Sequence, residues 1–272
     1  MPEVEWARLK AHELRALAEE NAVVIIPTAA IEQHGPHLPV MADQRIGHEV
    51  AVRAARKAFA KRPTLVTPVM WSGLSEHHMP FGGTLTLDHD TYFAVLNCLV
   101  KSLVRHGFRD IVLSNSHGGN IVANRAAADR LAGVSGAVIV ATDYVSEAGP
   151  AFAEILEDQA HIMHACEGET SMLMALVPDL VDTSDLAGIA TPRGRGPLAA
   201  GHASFRWRPY TSATGNGLSG NPARASAEKG ERLLEAASDA IAALITDPET
   251  WAAPEDRRPD TLQGVGFRDR TD

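Results

Sequence analysis

Three polar blocks in this chain carry side chains able to ligate a metal or move a proton. The first runs from Ile31 to Asp43 and contains Glu32, His34, His37 and Asp43. The second is Asn115-Ser116-His117-Gly118-Gly119-Asn120, and the third is His164-Ala165-Cys166-Glu167-Gly168-Glu169. On an extended backbone, residues two apart share a side, so Glu32 and His34 face together. With Asp43 they offer half of an oxygen-and-nitrogen metal site. Each block also has a plainer reading. Asp43 suits a helix N-cap, the paired glycines suit a tight turn, and Glu167 and Glu169 suit the first turn of a helix. Taken together, the blocks supply at least five ligands, provided that the fold gathers them.

The hydrophobic pattern indicates that it does. Residues 23–27, 64–70, 110–115 and 137–141 read as buried strands. Helical spacing predicts helices near 6–17, 46–59, 88–104, 121–131, 172–177 and 223–244. Strands separated by helices imply a mostly parallel sheet covered on both faces, an α/β class of fold. Each of the first two blocks leaves a predicted strand, as does a fourth polar loop, Ser72-Gly73-Leu74-Ser75-Glu76-His77-His78. Ligands in such folds bind at the carboxyl ends of the strands. Residues 191–221, rich in Gly, Pro, Ser and Arg, read as an extended loop, in which Arg193, Arg195, Arg206 and Arg208 are either grips for an anion or ordinary loop arginines. One domain is expected over residues 1–252, with a polar tail over 253–272.

Composition narrows the function. A hydrophobic content of 45% with 22% charged residues is that of a globular protein with a sizeable core. A net charge of −9 argues against nucleic acid or an anionic membrane as the main partner and favours a small-molecule substrate. The N-terminus lacks the pattern of a signal peptide and no apolar run is long enough to span a bilayer, so a cytoplasmic enzyme is expected. Cys98 and Cys166 are too few for a disulfide framework or a thiolate zinc site. Ligation by oxygen and nitrogen suits Zn, Mn or Fe.

The same blocks resemble the signature of the creatininase (creatinine amidohydrolase) family: Glu32-Gln33-His34-Gly35-Pro36-His37-Leu38-Pro39 with Asp43, the block around His117, and His164 to Ser171. Gly217 to Pro222 and Ala227 to Gly230 resemble its C-terminal block. The resemblance implies a three-layer α/β/α fold, a homo-oligomer (a hexamer) and two divalent metal ions that serve to hydrolyse C–N bonds. It implies Glu32, His34, Asp43 and His117 as ligands, with Asp43 bridging the ions. Creatininase itself has a glutamate where this chain has Gly119. Members with His-Gly-Gly-Asn use the first glutamate of the later block, here Glu167, which leaves Glu169 an outer or alternative ligand.

The chemistry that follows is attack of a metal-bound hydroxide on a small amide, cyclic amide or formamide, with His164 as general acid and Glu169 counted among the catalytic residues. Ser75, Glu76, His77, Gly118 and Gly119 are expected to face substrate, and His37 to support the ligands. The Gly119 position places the chain nearer to the broader family than to true creatininase. That broader set includes formamide hydrolases of flavin and deazaflavin biosynthesis, a peptide-processing enzyme of redox-cofactor maturation, and hydrolases of oxidised inositols. Two alternatives stand beside the amidohydrolase: a ring-opening or non-amide hydrolase acting on a cyclic ketone such as an oxidised inositol, and a catalytically silent metal- or ligand-binding member.

Overall fold

The computed structural model describes residues 2–190, 206–255 and 257–258. In chain order, α1 (Ala11–Glu19) precedes β1 (Val23–Thr28), and α2 (Ala42–Ala58) leads to β2 (Thr64–Val66). Next, α3 (His89–Arg105) leads to β3 (Asp110–Asn115), and α4 (Ile121–Ser135) to β4 (Val138–Asp143). The helices α5 (Tyr144–Glu147), α6 (Gly149–Ile155), α7 (Glu167–Leu176) and α8 (Ala227–Thr246) follow. The sheet has the order β2-β1-β3-β4, with every neighbouring pair parallel.

Alternation along the strands divides the core in two. Val23, Ile25, Val66 and Val112 point to one face, where α2, α7 and α8 pack on one another. Val24, Ile26, Leu65, Ile111 and Leu113 point to the other, against α3 and α4, with Leu14 and Leu17 of α1 packed beside them. A central strand covered on both faces must be apolar throughout, and all six residues of β1 are buried. The expected α/β architecture is therefore observed.

Several element boundaries differ from the sequence reading, each for a local reason. The strand expected over 64–70 ends at Val66 because Pro68 has no N–H to donate; Met70 rejoins the sheet through a single bridge to Thr28. The first helix begins at Ala11, after a short 3-10 turn over Trp6–Arg8. Asp88 caps α3, accepting from the Thr91 N–H at 2.7 Å. Helix α7 starts at Glu167, earlier than the apolar pattern indicated, so both glutamates lie in its first turn. Among the described residues, no helix is long and apolar enough to cross a membrane. Arg193, Arg195 and most of the tail over 253–272 lie outside the described residues.

Strands β1 and β3 run in register to the same edge, with Thr28 paired to Asn115. From β1 the chain moves outward to β2, then returns to β3 on the opposite side. This is a topological switch point, and the crevice of an open α/β sheet forms at such a place. The loops that leave Thr28, Val66 and Asn115 meet there, together with the N-terminus of α7.

Candidate metal centre

A buried polar network holds the loops in place before any ligand is considered. Tyr92 of α3 donates to Asn124 Oδ1 at 2.7 Å, and Asn124 Nδ2 donates to Thr28 Oγ1 at 2.7 Å. Asn115 Nδ2 donates to the His117 carbonyl at 2.7 Å and fixes the turn after β3. Asn120 ties two loops together, donating to the Ala29 carbonyl at 3.1 Å and accepting from the Leu74 N–H at 3.0 Å. Gly119 permits that approach, because a side chain there would strike the Leu74 carbonyl and the His117 ring. Ser116 Oγ donates to the Asp43 carbonyl at 2.8 Å and so joins α2 to the same turn.

Three histidines are oriented in one way. His34 Nδ1 donates to the Glu32 carbonyl at 3.0 Å, His117 Nε2 to the Leu74 carbonyl at 3.1 Å, and His164 Nε2 to the Gln33 carbonyl at 2.8 Å. A carbonyl only accepts, so the proton of each neutral ring sits on the anchored nitrogen and the other nitrogen presents its lone pair. Those lone-pair nitrogens all face carboxylates. His34 Nε2 lies 3.1 Å from Asp43 Oδ1 and 3.7 Å from Glu169 Oε2. His117 Nδ1 lies 3.0 Å from Asp43 Oδ2 and 3.5 Å from Glu32 Oε1. His164 Nδ1 lies 3.3 Å from Glu32 Oε1.

A lone pair facing a carboxylate is repulsive unless a proton or a metal ion stands between them. Glu32 Oε2, His34 Nε2 and Asp43 Oδ2 are buried without a hydrogen-bond partner, so the short His34–Asp43 approach is a proximity and not an aligned bond. Buried polar atoms left unpaired in this way are costly. Ligand atoms of His34, Asp43 and Glu169 lie within 4.8 Å of one another, as do those of Glu32, His77 and His117, and those of Glu32, His34 and His164. Two donors that share an ion at ~2.1 Å are separated by roughly 3–4 Å, the spacing seen here. Anchoring the distal nitrogen to a carbonyl is also how ligand histidines are held in metal sites. The buried histidine, glutamate and aspartate clusters therefore fit a binuclear metal site.

The electrostatics agree. Burial pushes Glu32 up to about 7, with His117 opposing and Asp43 adding to the rise. Glu169 is likewise pushed up by burial to about 7, against the pull of His34. Burial would depress His34, but Asp43, Glu169 and Glu32 outweigh it and raise the ring to about 10. For His117 burial is again outweighed, by Glu32 and Asp43, and the ring rises to about 9. Asp43 stays well below the usual carboxylate range, since His34 and His117 outweigh its burial. Without metal, protons supply the positive charge that this cluster requires.

The placement of each expected residue can now be given. Glu32, His34, Asp43 and His117 come together. Asp43 is no cap, for Met41 holds that position and the Asp43 carboxylate points to the two histidines. Glu167, the expected fifth ligand, is turned away from the cluster. Its carboxylate is fully buried against Lys229 Nζ and accepts from the Asp158 N–H at 2.9 Å, whereas Glu169 Oε2 lies 3.7 Å from His34 Nε2. Two residues apart on a helix means about 200° around it, so only one of the pair can face the cluster.

Ser75, expected to face substrate, is fully buried with its hydroxyl 3.1 Å from His117 Nε2, so it stands directly against the cluster. Gly119 makes room for protein atoms, as described above. Glu76 and Gly118 are exposed, and His77 is buried beside Glu32. His37 hydrogen-bonds Thr170 Oγ1 at 2.8 Å, a supporting position. The Cys166 thiol is pushed up by burial to about 12, as expected of an inert packed cysteine.

Two further residues stand beside the cluster, one on the fourth polar loop and one far along the chain. His78 Nε2 lies 3.7 Å from Glu32 Oε1, and the Tyr210 ring sits 4.3 Å from the His78 ring and 5.3 Å from that of His164. His78 belongs to the polar loop that the sequence already marks, beside His77. Tyr210 lies in the loop-like stretch far along the chain, and no local pattern marks it.

Residues 7–245 match the family model described as creatinine amidohydrolase, and the chain belongs to the creatininase family. It is 32% identical over 222 residues to a mycofactocin precursor peptide peptidase of Mycolicibacterium smegmatis, covering 81% of this chain and 83% of the relative. Identity to the creatinine amidohydrolase of Pseudomonas putida is 28% over 270 residues, covering 90% and 95% of the two chains. The solved manganese form of creatininase superposes with a TM-score of 0.72 at 27% identity, covering 90% of this chain and 98% of that one. This chain is thus a creatininase-family hydrolase whose buried clusters fit two metal ions.

Proposed function

We propose that this hydrolase cleaves the C–N bond of a small amide, cyclic amide or formamide, using two divalent ions held by Glu32, His34, Asp43, His117 and Glu169. The observation that carries the reading is the convergence of unanchored His34 and His117 nitrogens on the two oxygens of Asp43. The names of the two relatives, a peptidase and a creatinine amidohydrolase, both denote hydrolysis of a bond between a carbonyl carbon and nitrogen, which supports the same choice.

Bound in such a site, divalent ions acidify water toward neutral pH and polarise a carbonyl. The remaining tasks belong to the side chains. Asp43 sets the separation of the two halves of the site. Ser75 and the Leu74 carbonyl keep the His117 ring in one orientation. His164 moves the proton. Burial, with His34 and His78 nearby, keeps it well below its usual pKa, so it is neutral at rest. It takes a proton as water is deprotonated and delivers it to the departing nitrogen. Tyr210 and His78 pack against His164 and limit the access of bulk water to it.

The test is turnover by chelator-stripped protein reloaded with Zn, Mn or Fe(II), assayed on cyclic amides, N-formyl amides, short peptides and cyclic polyhydroxy ketones in oxygen-18 water. The expected result is metal-dependent release of an amine with one labelled oxygen in the new carboxylate. Ring opening of a cyclic ketone without cleavage of any amide would overturn the reading and select the inositol-type alternative. A reloaded sample inactive on the whole panel would select the silent member.

A further inference from the structure

We infer that His77 is a metal ligand, the additional nitrogen donor to the ion held by Glu32 and His117. This rests on the metal-site reading above and extends it by one residue.

The argument begins with the two oxygens of Glu32, whose surroundings are unequal. Oε1 is crowded by three imidazole nitrogens: His164 Nδ1 at 3.3 Å, His117 Nδ1 at 3.5 Å and His78 Nε2 at 3.7 Å. Oε2 is buried without a hydrogen-bond partner, and the nitrogen recorded beside it is His77 Nε2 at 3.7 Å. That gap is too long for a hydrogen bond and falls in the ~3–4 Å range between two donors that share one ion. The His77 ring lies nearly parallel to the His117 ring, 13° between planes with centroids 5.8 Å apart, so both turn an edge toward the same carboxylate. Ligand atoms of Glu32, His77 and His117 gather within 4.8 Å.

His78 is placed differently. Its ring packs 4.2 Å from His164 and 4.3 Å from Tyr210, and it faces the crowded oxygen. His77 stands edge-on to the His78 ring at 4.8 Å, and its short 3-10 turn (Glu76–Phe81) presents it to the unpartnered oxygen of Glu32. The consequence is an ion with Glu32, Asp43, His117 and His77 around it, richer in nitrogen than its neighbour at His34, Asp43 and Glu169. Nitrogen-rich surroundings suit borderline ions such as zinc or cobalt.

Chelator-stripped full-length protein and its His77→Ala variant are titrated with Zn2+ against a chromophoric chelator, and both are loaded with Co2+ for visible spectroscopy. Two ions are expected in the parent protein. In the variant one ion is expected to weaken by at least ~10-fold, the smaller effect already caused by losing an outer partner of a ligand, while the other is unchanged. The cobalt spectrum is expected to change and to return when imidazole is added, a rescue that a misfolded variant cannot show. Two ions of unaltered affinity with an unaltered cobalt spectrum would overturn the role of His77 and leave the binuclear reading standing. A single ion in the parent, weakened in the variant, would keep His77 as a ligand and refute the pair.

Discussion

Lys229 of α8 and Glu167 of α7 form a buried ion pair, and that pair turns Glu167 away from the carboxylate–histidine cluster that Glu169 enters. Lys229 also donates to Glu157 Oε1 at 2.9 Å and to the Arg224 carbonyl at 2.8 Å, so one ammonium ties the start of α7 to the segment after α6 and to the turn before α8. The two glutamates therefore do different work. Glu169→Gln is expected to lose metal with little change in stability of the metal-free protein. Glu167→Gln is expected to keep metal and lose about 3 kcal/mol of stability by leaving a buried ammonium short of its partner. Elemental analysis and urea unfolding separate the two, and the opposite pattern would return Glu167 to the ligand set.

Asp43 offers one oxygen to the His34 side and the other to the His117 side. Asp43→Asn preserves shape but removes the charge that both halves share. It is expected to bind less than one ion per chain where Glu32→Gln or Glu169→Gln retains about one. Full occupancy in Asp43→Asn would show that the residue does not bridge.

The pH dependence of the metal-free protein follows from its raised pKa values. Glu32 and Glu169 rise from 4.5 to about 7, and His34 and His117 from 6.5 to about 10 and about 9. Below about pH 6.5 the lowered pKa values of His37, His77, His78 and His164 oppose these groups, because the unfolded chain protonates those rings and the folded state does not; above it the raised groups prevail, the folded state binds more protons, and stability falls as pH rises. Asp43, with its lowered pKa, acts oppositely but only at the acid end. The melting temperature without metal is therefore expected to fall from about pH 7 to about pH 9, while added Zn2+ flattens the fall and releases protons on binding. Calorimetry in two buffers of different ionisation enthalpy measures that release. A metal-free melting temperature that climbs over the same range would contradict the assignment.

His164 is fixed by its Nε2 bond to the Gln33 carbonyl and by the Ser219 N–H, which donates to its own carbonyl at 2.9 Å. His164→Gln is expected to keep both ions and lose ~10²–10⁴-fold in kcat, the usual range for a proton-moving group. Unchanged kcat would remove His164 from the proton path; loss of one ion would make it a ligand.

Much of this was legible in the residues alone because the relevant signals are local. The apolar run of β1 and the polar block after it are adjacent in sequence, and Glu32 and His34 share a side through backbone alternation. Parallel strands then require the loops to open at one edge, so His117 could be placed near them without coordinates.

What the chain by itself determined is the set of donors and the edge at which they meet, since residue chemistry, strand periodicity and strand direction are properties of short segments. Tertiary structure decided which donor faces inward. The choice of Glu169 over Glu167 depends on Lys229, more than fifty residues away. The task of Ser75 depends on the His117 ring, and the presence of Tyr210 beside His78 depends on a loop whose path no periodicity records. Such choices are made by packing and by pairing of buried charge, and those act between segments that only the folded chain brings into contact.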